Sequence, residues 1–513
     1  MKHLSFIVSL SILIVSGCTH IPENPDKTVT QSMKPTETGM LAEVSRDLMK
    51  GKADDLSAFM LIPRNDDALN WRLALIDSAT ESIDLQVFIW TNDESGRLLL
   101  DRILQAADRG VRVRLLVDDM PKDWTDRGTA LVSRRNNVEV RRFNPGRTRK
   151  GLVSRAYQMS TQFKQLNRRM HNKQLMVDGT WGIIGGRNLG NPYFGLSKKY
   201  NNRDLDMILT GEVIGEMADD FDEYWNADAA YPGEAMYGDV SEKKVKKLWG
   251  RFQDYIQNDQ ELFKQTSIMY EPKDWSEQFK ALNGKVVYGT GQCLQDAPEV
   301  VGDERGMRLA EQMNMLAPEV QLISCIITPY MIPTKDQIES IAQSVEQGRR
   351  IQLLVPSMKS NNHTMAHSHY KKYRKKLLDA GAELYEFRGQ PSEELRAMSD
   401  TYPIKSKFIS LHTKAFVLDD HWVLLGSLNV DPRSININTE HMMIIDSPEL
   451  AKQLREDYDW MIDPSNSWKV YCNEKGKIQY ESTAGIRTSQ PARGFGQRCS
   501  DFFYRLLPIE SQL

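Results

Sequence analysis

The sequence predicts an α/β protein built twice over, with two duplicated domains, each a mixed sheet flanked by helices. Three observations point there. "RMHNKQLMVDGTWGIIGGRNLG" lies on "SLHTKAFVLDDHWVLLGSLNVD" without a gap at an offset of 241 residues. Upstream, "IDLQVFIWTNDESGRLLLDRILQAADRGVRVRLLV" lies on "QLISCIITPYMIPTKDQIESIAQSVEQGRRIQLLV" at an offset of 238. Each upstream copy also reads strand, helix, strand. An apolar run comes first, then a segment with helical spacing (Leu99, Ile103, Ala106, Ala107), then Gly110 or Gly348 at a helix C-cap, then "VRVRLLV" or "IQLLV". Such units place neighbouring strands parallel under covering helices. A repeat this long is a duplicated domain rather than a short solenoid unit.

Residues 1–17 read as a signal segment. Lys2 gives a basic start, Leu4 to Val15 an apolar run, and small residues precede Cys18. The run is too short to span a bilayer comfortably and fits a secretory segment. "VSGC" resembles the lipobox of bacterial lipoproteins. That resemblance implies that Cys18 is the lipidated first residue of the mature chain, anchoring it in the membrane. Thr19 in place of Asp resembles lipoproteins sent on to the outer membrane. The implied location is the bacterial cell envelope, facing the periplasm. Residues 18–40 are polar and rich in Pro and Thr, the composition of a tether.

The first repeat occupies 41–235 and the second 285–465. Between them, 236–284 reads as a linker or insertion holding "SEKKVKKLWGRF", an exposed helix. Residues 466–513 read as a tail docked on the second domain. Cys472 and Cys499 flank loop-rich chain and are candidates for a disulfide, while Cys325 in "QLISCIITPY" reads as a buried thiol. No Cys-x-x-Cys pair is present, which argues against structural zinc. "HTMAHSH" (His363, His367, His369) lacks a Cys or carboxylate in its pattern, so no metal site is expected there. A net charge of −3 gives no general electrostatic case for a nucleic-acid partner.

The repeated motif is His-x-Lys-x-x-x-x-Asp: His171, Lys173 and Asp178, then His412, Lys414 and Asp419. Residues i and i+2 of a strand share a face, so imidazole and ammonium can address one ligand. The Asp lies beyond the strand and reads as a hydrogen-bonding support for the turn. Attack on an anionic phosphodiester without a metal needs a nucleophile, an acid for the departing alkoxide, and fixed positive charge on the phosphoryl oxygens. Two imidazoles and two lysines supply all three, and no cofactor is called for. Each half holds one of each, so one active site is expected at the interface of the halves. Because both motifs are in one chain, no oligomer is required.

Paired motifs of this kind, each followed by Gly-x-x-Asn, resemble the phospholipase D superfamily. "GSLNVDPRSININTE" is similar to that family's extended motif. "RFNP", "LNRRMHNK", "GGRN", "RDLDM", "DDFDEYW" and "HSHYKKYRKKLLDAGAELYE" resemble the bacterial cardiolipin synthase branch, in particular its short, C-type members. The resemblance implies two phospholipase D-like domains and phospholipid substrates. It makes His171 a nucleophile that forms a phosphohistidine, and His412 the acid and later the base. It gives Lys173, Lys414, Asn188 and Asn429 the phosphoryl oxygens. It places His367 and Tyr370 on a helix near the substrate pocket. Carboxylates are expected to orient the rings: Glu440 in the second half and Asp204 in the first, or Asp206 if the alignment slips. The implied reaction makes cardiolipin from phosphatidylglycerol and a second phospholipid. Hydrolysis of phospholipid headgroups stays open beside it. A nuclease and a non-enzymatic lipid-binding lipoprotein fit less of the sequence.

Overall fold

A computed structural model describes residues 21–22, 25–120, 125–149, 151–236, 240–299, 308–316 and 320–513. Cys18 and the apolar run before it lie outside the described residues. The first half lays down β1 (Ser57–Ile62), β2 (Ser82–Val87), β3 (Arg112–Asp118), β4 (Val138–Phe143), β5 (Gln174–Val177), β6 (Trp181–Gly185), β7 (Asn201–Arg203), β8 (Asp206–Gly211) and β9 (Ala230–Pro232). The second follows with β10 (Val287–Gln295), β11 (Ile323–Ile327), β12 (Arg350–Pro356), β13 (Glu383–Phe387), β14 (Ile409–Leu411), β15 (Ala415–Leu418), β16 (Trp422–Gly426) and β17 (His441–Asp446). Three more strands end the sheet: β18 (Ser467–Cys472), β19 (Ile478–Ser482) and β20 (Gly485–Arg487).

The first half is ordered β9-β4-β3-β2-β5-β6-β8-β1, with β2, β3 and β4 parallel. The second is ordered β10-β17-β16-β15-β11-β12-β13-β18 and continues into β19 and β20. Strand for strand, one order mirrors the other. β1 pairs antiparallel with β10, Ser57 opposite Gly289, and joins the two sheets into one. The apolar core is continuous across that seam: Phe59, Met207 and Leu209 belong to the same cluster as Val423, Ile445 and Leu450. The halves therefore share a core instead of each closing its own.

The strand–helix–strand unit is present in both halves, but its alignment needs a correction. The register of β2 on β5 matches that of β11 on β15 at an offset of 241, not 238. The register of β2 on β3 against β11 on β12 returns to 238 on the β3 side. The helix between accounts for the difference, with 15 residues over Glu94–Asp108 and 12 over Lys335–Glu346. Loss of nearly one turn keeps the buried face in place, which is why an ungapped alignment still matched apolar to apolar. Asp93 caps the first helix and Thr334 caps the second in a capping box.

The segment expected as a tether is laid along the first half from residue 25 onward. Trp225 Nε1 donates to Thr30 Oγ1 at 2.9 Å, and Arg114 Nη2 donates to Ser32 Oγ at 2.7 Å. Polar side chains that suggested a solvated linker instead satisfy buried donors of the domain. The insertion forms a helix over Glu242–Phe263 whose lysines are exposed but which buries Phe252 and Phe263. Its Asp259 pairs with Arg97 at 2.7 Å. The tail adds β18 to the edge of β13 and packs the helix Phe495–Arg505 beside the helix Thr364–Tyr370. Cys293, Cys325, Cys472 and Cys499 are all unpaired, so Cys472 and Cys499 do not form the disulfide considered from sequence. Cys325 is buried, as expected.

Candidate active site

Each His-x-Lys motif reaches the site on chain that is stitched to the opposite half. β14 runs parallel to β7, and the His412 amide donates to Arg203 O at 2.8 Å. The counterpart is a parallel bridge between Met170 and Thr439, with the His171 amide donating to Thr439 O at 2.8 Å. The residue after Arg203 is Asp204, and the residue after Thr439 is Glu440. Each carboxylate is thereby delivered to the other half's imidazole. His412 Nδ1 lies 2.6 Å from Asp204 Oδ2, and His171 Nδ1 lies 2.7 Å from Glu440 Oε2. The pairing expected from sequence, Asp204 in its own half and Glu440 in its own, is corrected to a crossed one. Parallel pairing of the segments across the pseudo-two-fold axis forces the exchange. Asp206 is excluded from the site: it pairs with Arg72 at 2.8 Å and Arg187 at 3.2 Å.

Glycines make this approach possible. A Cβ on Gly186 would sit 2.6 Å from Asp204 Oδ1, and one on Gly426 would sit 2.2 Å from His441 O. The "GG" and "LLG" that follow each motif hold the space through which the carboxylate strand passes.

All four basic side chains are buried. Lys173 Nζ donates to His171 O, and Lys414 Nζ donates to His412 O at 2.6 Å. Phe88 meets the His171 ring edge-on at 4.9 Å between centroids, and Tyr193 meets the His412 ring at 5.3 Å. Burial, then the charges of Lys173 and Lys414, push His171 well below its ordinary range. Burial and Lys414 push His412 down to about 4. Burial lowers Lys173 to about 7 and Lys414 to about 8. The two carboxylates diverge. Burial raises Glu440 to about 7. Burial acts the same way on Asp204, but His412 and Lys414 outweigh it and hold Asp204 well below the usual carboxylate range. All four basic groups are thus pushed toward their neutral forms, and a phosphodiester anion beside them would favour the charged ones.

The remaining candidates divide. Asn429 donates to Ser434 Oγ at 3.3 Å, and its buried Oδ1 finds no partner among the described residues. Exchanging O for N would let the oxygen accept from Ser434 and leave the amide NH₂ for a phosphoryl oxygen. Asn188 is committed at both ends, accepting from Ile89 N at 3.1 Å and donating to Tyr193 OH at 3.0 Å. One of its two amide N–H groups thereby fixes the ring that meets His412. His367 and Tyr370 do lie on a helix, but it faces the tail. His367 Nδ1 lies 3.2 Å from Asp501 Oδ1 and Nε2 3.0 Å from Arg374 Nη2, while Tyr370 OH donates to Glu386 at 3.0 Å. Those bonds build the tail's docking surface, which removes both residues from the paired site. The histidines of "HTMAHSH" do not converge on one point. His369 turns to Glu510, and among the described residues no cluster of three metal-ligating groups is present.

Asp178 and Asp419 are not at the reacting end. Both adopt left-handed backbone, φ 54° and 51°, just past their strands. The Asp178 carboxylate accepts from the amides of Thr80, Glu81 and Ser82 at 2.8–2.9 Å. Asp419 accepts from Gln321, Leu322 and Ile323 at 2.7–2.9 Å. Each therefore pins the start of β2 or β11, rather than the hairpin turn it was expected to support. Asp178→Ala is expected to cost about 3 kcal/mol of unfolding free energy, since three amides, that of Ser82 buried, lose a charged acceptor that is itself buried. Half-exposed Asp419→Ala should cost about 1–2 kcal/mol, because water replaces part of the loss. Denaturant melts check both; unchanged stability with lost turnover would instead make these residues catalytic.

Sequence reasoning missed Phe88 and Tyr193, whose ring contacts carry no short-motif signature. It also missed Arg433 of "VDPRS". Arg433 donates to Asn167 O at 2.9 Å and ties the second half to the chain four residues before His171.

Known proteins share the duplicated domain and the fold. The family model for the cardiolipin synthase, phospholipase D-like domain matches twice, at 73–225 and 323–462, together more than half of the chain. The chain is 32% identical to cardiolipin synthase C of Escherichia coli (strain K12), covering 86% of this chain and 93% of that protein. It is 23% identical to cardiolipin synthase 1 of Bacillus cereus, covering 86% and 73%. The crystal structure of phosphatidylserine synthase from Haemophilus influenzae superposes with a TM-score of 0.53 at 16% identity, covering 82% of this chain and 89% of that one, which shows a shared fold. With two matched domains and a relative similar over nearly its whole length, the chain belongs to the cardiolipin synthase family of phospholipase D-like proteins.

Proposed function

We propose that this phospholipid phosphatidyltransferase makes cardiolipin from phosphatidylglycerol and a second phospholipid through a phosphohistidine on His171. The observation that carries the reading is the crossed pair of imidazole–carboxylate contacts with a lysine beside each imidazole. A phosphodiester seated on Lys173 and Lys414 meets neutral His171, whose Nε2 attacks phosphorus. His412, held at about 4 by burial and Lys414, takes up a proton as the anionic phosphodiester binds and, backed by ionised Asp204, gives it to the departing headgroup oxygen as its P–O bond breaks. The free glycerol hydroxyl of phosphatidylglycerol then gives its proton to His412 and attacks phosphorus, releasing His171. The two carboxylates support these roles. Glu440, raised toward neutrality, favours an uncharged imidazole, and anionic Asp204 favours an imidazolium. Expression in a host lacking cardiolipin synthases, followed by lipid mass spectrometry, tests the reading. Cardiolipin is the expected product; phosphatidic acid alone would mean that water is the acceptor.

Substrate binding is expected to take up protons. Burial lowers Lys173 and Lys414 to about 7 and 8, and a bound anion favours their charged forms. Affinity for a non-cleavable phosphonate analogue should therefore fall by on the order of 10²-fold or more between pH 7 and pH 9, as binding comes to require proton uptake by both lysines. Equal affinity at both pH values would contradict the depressed lysines.

Anchoring through Cys18, facing the periplasm at the outer membrane, belongs to the same proposal. Cys18→Ala is expected to block lipid attachment and leave the protein unprocessed or released from the membrane fraction. Wild-type processing and fractionation in that variant would refute it.

A further inference from the structure

Two helices near the site carry apolar side chains outward. The helix Leu152–Thr161 is covered by protein along little of its length; Tyr157 is 70% exposed and Met159 51%. Phe163 follows at 45%. The tail helix Phe495–Arg505 buries Asp501 inward while Phe495, Phe502 and Phe503 are exposed, with Leu506 just beyond. At 100° per residue, Phe495, Phe502 and Leu506 fall on one stripe, and Arg498 and Arg505 flank it. This is an amphipathic helix with its apolar side turned away from the protein.

The two patches converge on one place. Asn167 Nδ2 donates to Gln512 Oε1 at 2.7 Å, and Arg433 Nη1 donates to both Asn167 Oδ1 and Gln512 O. Asn167 is one helical turn after Phe163, about 6 Å along the axis, and four residues before His171. Gln512 follows Leu507 by five residues, at most about 17 Å of chain. Both patches therefore flank the junction that borders the paired motifs. Charge points the same way. Within 140–177, Arg141, Arg142, Arg149 and Arg169 are taken up by carboxylates of the fold, which leaves Arg155 and Lys164 as its exposed cations among the described residues. Arg155 and Lys164 are exposed beside the first patch, and Arg498 beside the second.

We propose that these helices form one docking surface for an anionic phospholipid bilayer, holding the mouth of the site against the lipid surface. The proposal rests on the phosphatidyltransferase reading for its purpose, but its geometry stands apart from the chemistry. Aromatic and Leu side chains enter the acyl boundary while the flanking cations meet headgroup phosphates. Substrate then passes from bilayer to site without crossing water. This surface acts locally and is separate from any attachment at the N-terminus.

The test uses the full chain throughout. The variant Tyr157→Ser/Phe502→Ser/Leu506→Ser alters exposed side chains only, so its thermal unfolding should match wild type. On vesicles of phosphatidylglycerol and phosphatidylethanolamine its turnover should fall about tenfold or more. On monomeric dihexanoyl phosphatidylglycerol it should stay within about twofold of wild type. Separately, Phe503→Trp should add fluorescence that brominated phosphatidylglycerol vesicles quench, above the wild-type background. An unquenched indole, or equal turnover of variant and wild type on vesicles, overturns the docking surface. If wild type transfers nothing to either lipid, the functional reading has failed and the quenching alone decides docking.

Discussion

His171→Asn is expected to lower phosphatidyl transfer by on the order of 10⁴-fold or more, to background. Asparagine fills similar space but cannot form the covalent bond to phosphorus. Nothing else in the site replaces it. Lys173 is held against the His171 carbonyl, and anionic Asp204 on His412 Nδ1 favours the imidazolium, which is no nucleophile. His412→Asn should also be severe with natural substrates, whose departing alkoxides need a proton. It should be milder for a diester with an acidic leaving alcohol such as nitrophenol, because that alcohol departs without help. The difference between the two variants is the signature of unequal roles in nearly symmetric halves.

Asp204→Asn is expected to cost roughly 10³-fold in turnover, although it leaves both histidines and both lysines in place. An amide can still contact His412 Nδ1, but it cannot stabilise the imidazolium that protonates the leaving group. Glu440→Gln should cost only about 10–100-fold, an orientation effect, because burial already raises Glu440 to about 7. The sign follows from the folded state. Asp204 is ionised across the working range, so its charge is missed at every pH. Glu440 gains its proton as pH falls below about 7, so its variant should differ least from wild type on the acid side. Turnover against pH for both variants checks this. A larger loss in Glu440→Gln than in Asp204→Asn would exchange the roles of the two histidines.

The duplication and the six motif residues were legible in the sequence because local repetition records them. The crossed contacts were not. Asp204 and Glu440 each follow a short segment that pairs only with the other half, and that pairing is between residues more than 200 positions apart. Asp178 and Asp419 were legible as conserved spacing within the chain but not as strand pins, since the amides they hold lie nearly a hundred residues upstream. His367 and Tyr370 were placed on the right kind of element yet facing the wrong neighbour, because the tail that covers them has no counterpart in the first half. The helix of 12 residues opposite one of 15 concealed a three-residue slip. Losing nearly one turn preserves the apolar pattern from which the alignment was read.

The most direct test of the central claim is a trapping experiment on His412→Asn and His171→Asn. Each variant is mixed with a nitrophenyl phosphatidyl ester, quenched, and analysed by intact-protein and peptide mass spectrometry. The account predicts that His412→Asn accumulates one phosphatidyl group, on the peptide carrying His171, and that His171→Asn remains unlabelled. Labelling of His171→Asn on the His412 peptide, with none in His412→Asn, would contradict it.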